Sequence, residues 1–201
     1  MVKNPTSVKW NTMGYLGDPT RTRLPRNYKI GVQSVNRTTL VTALWNGNKA
    51  VATIEVSFAP YGQNLGQTMA EFHGATSKNH RGKGIGTLFR ALVTKAVLNS
   101  GVNFVSHNGV NVGNLTAKAL ANRYGISLQE ARHHKNLIPL STRIVRKIGY
   151  TPIKSKNGSN STSSVMKSTN NRTKLNNAIK RISAAINIQR AYRRRRTLAR
   201  D

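Results

Sequence analysis

Apolar and polar positions alternate with a period of two over Tyr28–Val35 and Thr39–Trp45, and again over Val51–Phe58. That alternation predicts half-buried strands. Asn46-Gly47-Asn48 supplies the turn that makes the last two a hairpin. A loop from Pro60 to Gly66 precedes another strand, Thr68–Thr76. The period then changes. Leu88, Phe89, Leu92, Val93, Ala96 and Val97 recur at helical spacing, and Asn99-Ser100-Gly101 ends the run before a short buried strand, Val102–Ser106. Strand, glycine turn, helix and strand in that order predict two parallel strands joined by a crossover helix. Residues 116–124 read as a short helix stopped by Gly125, and Ser127 with Glu130 as a capping box opening another that reaches about Asn136. Leu140–Ile148 reads as a helix closed by Gly149. Thr151–Ile153 and Ser164–Lys167 form a last strand pair around a Ser/Asn/Gly-rich loop, Lys154–Ser163. A final helix from about Thr173 to Leu198 places Leu175, Ala178, Ile179, Ile182, Ile186 and Tyr192 near one face. Residues 1–25 have no period and read as an irregular basic arm.

Charge changes this picture more than composition does. The 201 residues hold 33 Lys+Arg against 5 Asp+Glu, a formal net charge of +28. The arm carries +3, residues 26–154 carry +14 and residues 155–201 carry +11. So many cations with so few acids predict collection on a polyanion, with nucleic acid first among candidates. No cysteine is present, which excludes a disulfide framework, a Cys-ligated zinc site and a thiol nucleophile. No run of about 18 apolar residues offers a membrane span, and the first ten residues lack an apolar signal core. The expected location is therefore intracellular, in a nucleus or a nucleic-acid-containing particle such as a virion.

The segment Arg81-Gly82-Lys83-Gly84-Ile85-Gly86 sets backbone N–H groups at a helix N-terminus, where partial positive charge favours phosphate. It fits neither the dinucleotide fingerprint, which wants G-x-G-x-x-G and an acid about 20 residues on, nor the P-loop, which ends in Gly-Lys-Ser/Thr. It resembles the acetyl-CoA loop of the GNAT N-acetyltransferase superfamily, Arg/Gln-x-x-Gly-x-Gly/Ala, followed here by Thr87-Leu88-Phe89. The flanking order agrees, and Ile148-Gly149-Tyr150-Thr151-Pro152 resembles that family's Leu-Gly-Phe-x-Pro ending. The resemblance spans residues 28–168. It implies a mixed α/β (α+β) fold: a strongly twisted sheet with a central parallel pair and flanking helices, to which the C-terminal basic helix (169–201) is added.

It also implies acetyl-CoA as co-substrate, with no metal. Backbone amides of Gly82, Lys83, Gly84, Ile85, Gly86 and Thr87 would hold the pyrophosphate, Arg81 and Lys83 would add charge, and the strand around Phe72–Thr76 would pair with the pantetheine arm. Acetyl transfer to an amine needs a base, because an amine of pKa about 10 is charged at neutral pH. Glu71 and His73, two apart on one strand, share a face and are the first candidates, with a family bulge expected nearby; Glu55 on the preceding strand is the second. The family's Tyr acid, four residues before the late Gly, is Val145 in this chain, leaving Tyr150 and Tyr124 as substitutes. The family's two helices between its first strands are also replaced by Asn36-Arg37-Thr38.

Glu130 and His134 share a helix face but have no third partner, so no metal site is expected. Near the C-terminus, Ile188, Gln189 and Arg193 match the start of an IQ motif, with Leu198 where a second basic residue belongs. Arg190, Arg193, Arg194, Arg195 and Arg196 are thus candidates for nucleic-acid contact or for a calmodulin-like partner. Three functions remain open: an N-acetyltransferase acting on a protein acceptor near nucleic acid, a degenerate nucleic-acid-binding structural protein, and an adaptor.

Overall fold

The structure is a computed structural model that describes residues 11–12, 24–25, 27–36, 38–60, 68–107, 118, 121–133, 140–152, 164–167 and 172–198. Four strands form a meander: β1 (Asn11–Thr12), β2 (Tyr28–Ser34), β3 (Thr39–Asn46) and β4 (Lys49–Pro60). The β2–β3 turn is an Asx turn, in which Asn36 Oδ1 accepts the Thr38 backbone N–H at 2.9 Å and the Thr38 hydroxyl at 3.1 Å. Gly47, at φ 57°, turns β3 into β4. β5 (Thr68–Thr76) follows, then helix α1 (Ile85–Asn99) and β6 (Phe104–His107). The chain closes with α2 (Leu128–His133), α3 (Leu140–Lys147), β7 (Thr151–Pro152), β8 (Ser164–Lys167) and α4 (Arg172–Leu198). The eight strands make one sheet, in the order β1-β2-β3-β4-β5-β6-β8-β7. Among the described residues the parallel pair is β5 with β6, as the strand–helix–strand pattern predicts.

Three expectations need correction. The first 25 residues are not wholly irregular, since β1 pairs antiparallel with β2 at Val32 and Gly31. β5 carries no bulge: its register against β4 is continuous from Ala52↔Thr76 to Pro60↔Thr68. Tyr192 does not share the packed face of α4. It is 61% exposed, and the buried positions are Leu175, Ala178, Ile179, Ser183 and Ile186. The capping box forms as read, with Ser127 N–H donating to Glu130 Oε2 at 2.8 Å and Glu130 N–H to Ser127 Oγ at 3.1 Å. That pairing commits the Glu130 carboxylate to a helix end.

α1 is predicted to bury one stripe, yet Ala91, Thr94 and Leu98 are buried as well. The reason is that it lies between two layers. Its inner side meets Val56, Ala70, Phe72 and Val105 of the sheet, and Leu175, Ala178, Ile179 and Ile186 of α4 complete the same apolar cluster. α4 runs antiparallel to α1. Arg172 reaches the Leu98 carbonyl at one end, and Ile182 and Ile186 approach Gly84 at the other.

Candidate functional site

β5 ends at Thr76, where a short 3₁₀ turn (Lys78–His80) leads into the glycine loop. Arg81 Nε donates to the Thr76 carbonyl at 2.9 Å, tying the two sides of the loop together. Gly82 and Gly84 lie at φ 72° and 75°, a region that other residues enter only with strain. Gly86 is required for another reason: a Cβ there would stand 2.5 Å from Thr76 Oγ1. Nothing lies within 4 Å of a Cβ built on Gly82, so the loop is an open cradle. Gly84 is the N-cap of α1, with no side-chain cap and no acid in the first turn. The first-turn N–H groups therefore point out of the helix without an internal acceptor. Ile85 buries its side chain, and Lys83 is exposed beside the cradle.

The two parallel strands pair only from Met69↔Phe104 to Glu71↔Ser106. Beyond Glu71, β5 continues to Thr76 with no strand on its β6 side among the described residues, which leaves a gap between them towards the glycine loop. The candidate bases converge beside this gap. His73 stands directly opposite Glu55 on β4, and Glu71 stands opposite Ser57 on β4 and Ser106 on β6. Cross-strand partners of this kind hold their Cβ atoms about 4.5–5.5 Å apart. These three residues face away from Ala70 and Phe72, hence away from α1. His73 and Glu55 are exposed and Glu71 is half-buried.

On the α1 side lies a polar network that pattern reading missed. Arg90, 8% exposed, donates through Nη1 to His107 Nδ1 at 3.1 Å and lies 5.9 Å from the centre of the Phe72 ring. One turn on, the Thr94 hydroxyl donates to the Arg90 carbonyl at 2.8 Å and accepts from the Tyr150 hydroxyl at 2.9 Å. Burial lowers the Arg90 pKa, an effect that the nearby Tyr150 opposes. Burial, the Arg90 charge and His73 together push His107 down to about 4. His107 is therefore neutral at pH 7, and because Nδ1 accepts from Arg90, its proton sits on Nε2. That Nε2 and the Ser106 hydroxyl are buried without hydrogen-bond partners, on opposite faces of β6 where β5 departs. The signal available in sequence was a lone Arg inside Leu88-Phe89-Arg90-Ala91-Leu92-Val93.

The substitute acids fare differently. Val145 is fully buried, and Tyr124 is 44% exposed on the helical turn 121–124. Tyr150 is buried, and desolvation raises its pKa to about 12. Its proton is thus held against Thr94 rather than offered to a leaving group. Tyr150→Phe should cost about 1 kcal/mol of stability and leave the pH profile of any acetyl transfer unchanged. A basic limb that moves in the variant would restore Tyr150 as the acid.

Of the C-terminal candidates, Arg190, Arg193 and Arg195 lie one to three turns beyond Ile186, the residue that touches Gly84. The side chains of Arg194 and Arg196 fall outside the described residues, as does His134. Among the described residues no group of three His, Cys, Asp or Glu gathers, and no helix is long and apolar enough to cross a membrane.

No family model matches the chain, and no curated protein does. Among solved structures, the chain is similar to the KacTA–DNA complex at 12% identity, covering 71% of this chain and 76% of that one (TM-score 0.47). It is similar to AtaTR bound with AcCoA at 11% identity, covering 66% and 69% (TM-score 0.42). It is also similar to an aminoglycoside 6'-N-acetyltransferase complexed with coenzyme A at 16% identity, covering 66% and 74% (TM-score 0.44). At these identities no residue role is carried across.

Proposed function

We propose that the chain is an N-acetyltransferase that moves acetyl from acetyl-CoA to an amine on a protein acceptor near nucleic acid. The observation that carries this reading is the open glycine cradle at the uncapped start of α1, set at the end of a strand whose β6-side edge beyond Glu71 is unpaired among the described residues. The residues present fit the co-substrate. Amides of residues 82–87 and the Lys83 charge suit a pyrophosphate, and the edge of Phe72–Thr76 that no described strand pairs suits the amides of a pantetheine arm. When bound, acetyl-CoA supplies an activated acyl group. Glu71, His73 and Glu55, gathered on one face beside the gap, are the groups that can take the proton from an acceptor amine. A chain of net charge +28 disfavours a small polyamine and tolerates an amine on a protein already held by a polyanion.

The test is calorimetry with acetyl-CoA. Wild type should bind. Gly84→Asp, which forces a side chain to φ 75° and adds negative charge to the cradle, should weaken binding at least about tenfold. An unchanged isotherm in the variant removes the loop from the reading. Acceptor preference follows from mass spectrometry of basic proteins against spermidine, and turnover of spermidine alone would reverse it.

A second reading is a degenerate, nucleic-acid-binding structural protein, favoured by buried Val145 and Tyr150 where an acid is wanted. Steeply salt-dependent DNA binding without acetyl-CoA affinity would select it. A calmodulin-like partner at the IQ-like segment would instead show as calcium-dependent capture that survives high salt.

A further inference from the structure

We propose that the groove between the end of α3 and the first turns of α4 is a phosphate-gripping site for a nucleic-acid backbone. The inference rests on the nucleic-acid association proposed above and gives it a surface. Arg146, Lys147, Gly149, Lys174, Asn177, Lys180 and Arg181 line a cavity of about 520 Å³. Five of the seven are cations and none is an acid. The described acids of the chain, Glu55, Glu71 and Glu130, do not reach it.

The fold accounts for only part of this charge. Arg146 and Lys147 sit in the last turn of α3, where cations offset the helix dipole, and Arg146 also donates to the Ser164 hydroxyl at 3.4 Å. Lys174 has the opposite setting. It lies in the first turn of α4, at the positive end of a 27-residue helix, and no acid is in that turn. Lys180 and Arg181 follow it into the same groove, exposed. The two walls are pressed together at Gly149: at φ 111°, a Cβ there would stand 3.3 Å from both Lys174 Cβ and Met166 Cε. Among the described residues no acid lines the groove beside Lys174, Lys180 and Arg181, and cations converging in this way are suited to an external polyanion.

The groove's Lys174 end lies far from the glycine cradle. Arg172 places the start of α4 at the C-terminal end of α1, and the cradle is at the other end of this 15-residue helix, about 22 Å away; Arg181, at the groove's other end, adjoins Ile182, which approaches Gly84. Direction and length favour a nucleic-acid backbone over a lipid surface. The apolar face of α4 is already buried against α1, so it is not free to enter a bilayer. Lys174, Arg181 and Arg195 recur at multiples of seven on one exposed side, with Tyr192 between the last two. They span about 32 Å of helix, close to the roughly 34 Å of one duplex turn.

The experiment measures anisotropy of a labelled 20-base-pair duplex across a salt series. It compares wild type with the triple variant Lys174→Gln, Lys180→Gln, Arg181→Gln, and with a tail triple, Arg190→Gln, Arg193→Gln, Arg195→Gln. The groove variant should lose at least about tenfold in affinity at 150 mM salt, with a log–log salt slope shallower by about 2–3. The single variant Lys174→Gln, remote from the cradle, should leave the acetyl-CoA isotherm unchanged. On wild type, bound duplex should shield Lys174 and Lys180 from an amine-reactive label read by mass spectrometry, a readout independent of any variant. Equal affinity and slope in the groove variant, with both lost in the tail variant, overturns the groove and leaves nucleic-acid association standing. Failure of wild type to bind duplex, or preference for vesicles of 30% phosphatidylserine, overturns both.

Discussion

Replacing Leu175 with alanine should cost about 2–5 kcal/mol and lower the melting temperature in a single transition. Leu175 is 1% exposed, in the first turns of α4, and belongs to the cluster that includes Leu88, Leu92 and Val97 of α1. Deleting its three outer carbons removes their burial and leaves a space that neighbouring side chains fill only in part. Composition alone makes the last 47 residues look like a detachable basic tail. Packing makes the segment from Leu175 to Ile186 the outer wall of the core, and only the turns after it extend beyond. Circular dichroism and tryptophan fluorescence followed in urea should give coincident curves for wild type and variant. A loss below about 1 kcal/mol, or a helix signal that melts apart from the fluorescence, would show α4 to be an appendage.

Acid should destabilise the fold through His107. Its folded pKa of about 4 lies below the 6.5 of a free imidazole. Between these values the unfolded chain binds a proton that the folded chain refuses, so stability rises with pH across that window. The contribution is complete above about pH 6.5 and is lost as pH falls through about 4. A shift of this size amounts to at most about 3 kcal/mol, of which about 2 kcal/mol disappears between pH 7 and pH 5. The cause is geometric: protonation of His107, itself 4% exposed, would put a second cation against the buried Arg90 guanidinium. His107→Gln keeps an acceptor for Arg90 and has nothing to titrate. Its urea midpoint should stay level from pH 7 to pH 5 while that of wild type falls. Parallel curves for the two proteins would place the titrating group elsewhere.

Much of the candidate cofactor site was legible because it is local. The three glycines of 82–86, the apolar spacing of α1 and the Ser127–Glu130 box each act within a few residues. Phosphate-favouring geometry needs only a turn and a helix start, so the cradle could be read from six letters. The site's other half could not. Glu55 faces His73 through a register of β4 on β5, and among the described residues β6 stops pairing with β5 at Ser106. Neither fact has a local signature. Tyr192 falls off the packed face because α4 runs past the end of its support, where tertiary packing decides.

The charge divides the same way. From sequence come its size, its sign, the shortage of acids and the placement of basic residues on both body and C-terminal helix. Tertiary structure decided which cations are spent inside and which converge. Arg90 is buried against His107, 17 residues away in the chain, and its neighbour Thr94 meets Tyr150 56 residues away. Arg146 and Lys147 share a groove with Lys174, Lys180 and Arg181 where Gly149, just after α3, lies close against Lys174. Short-range sterics and periodicity write secondary structure into a sequence. Convergence of distant side chains depends on how whole elements pack, which no single segment encodes.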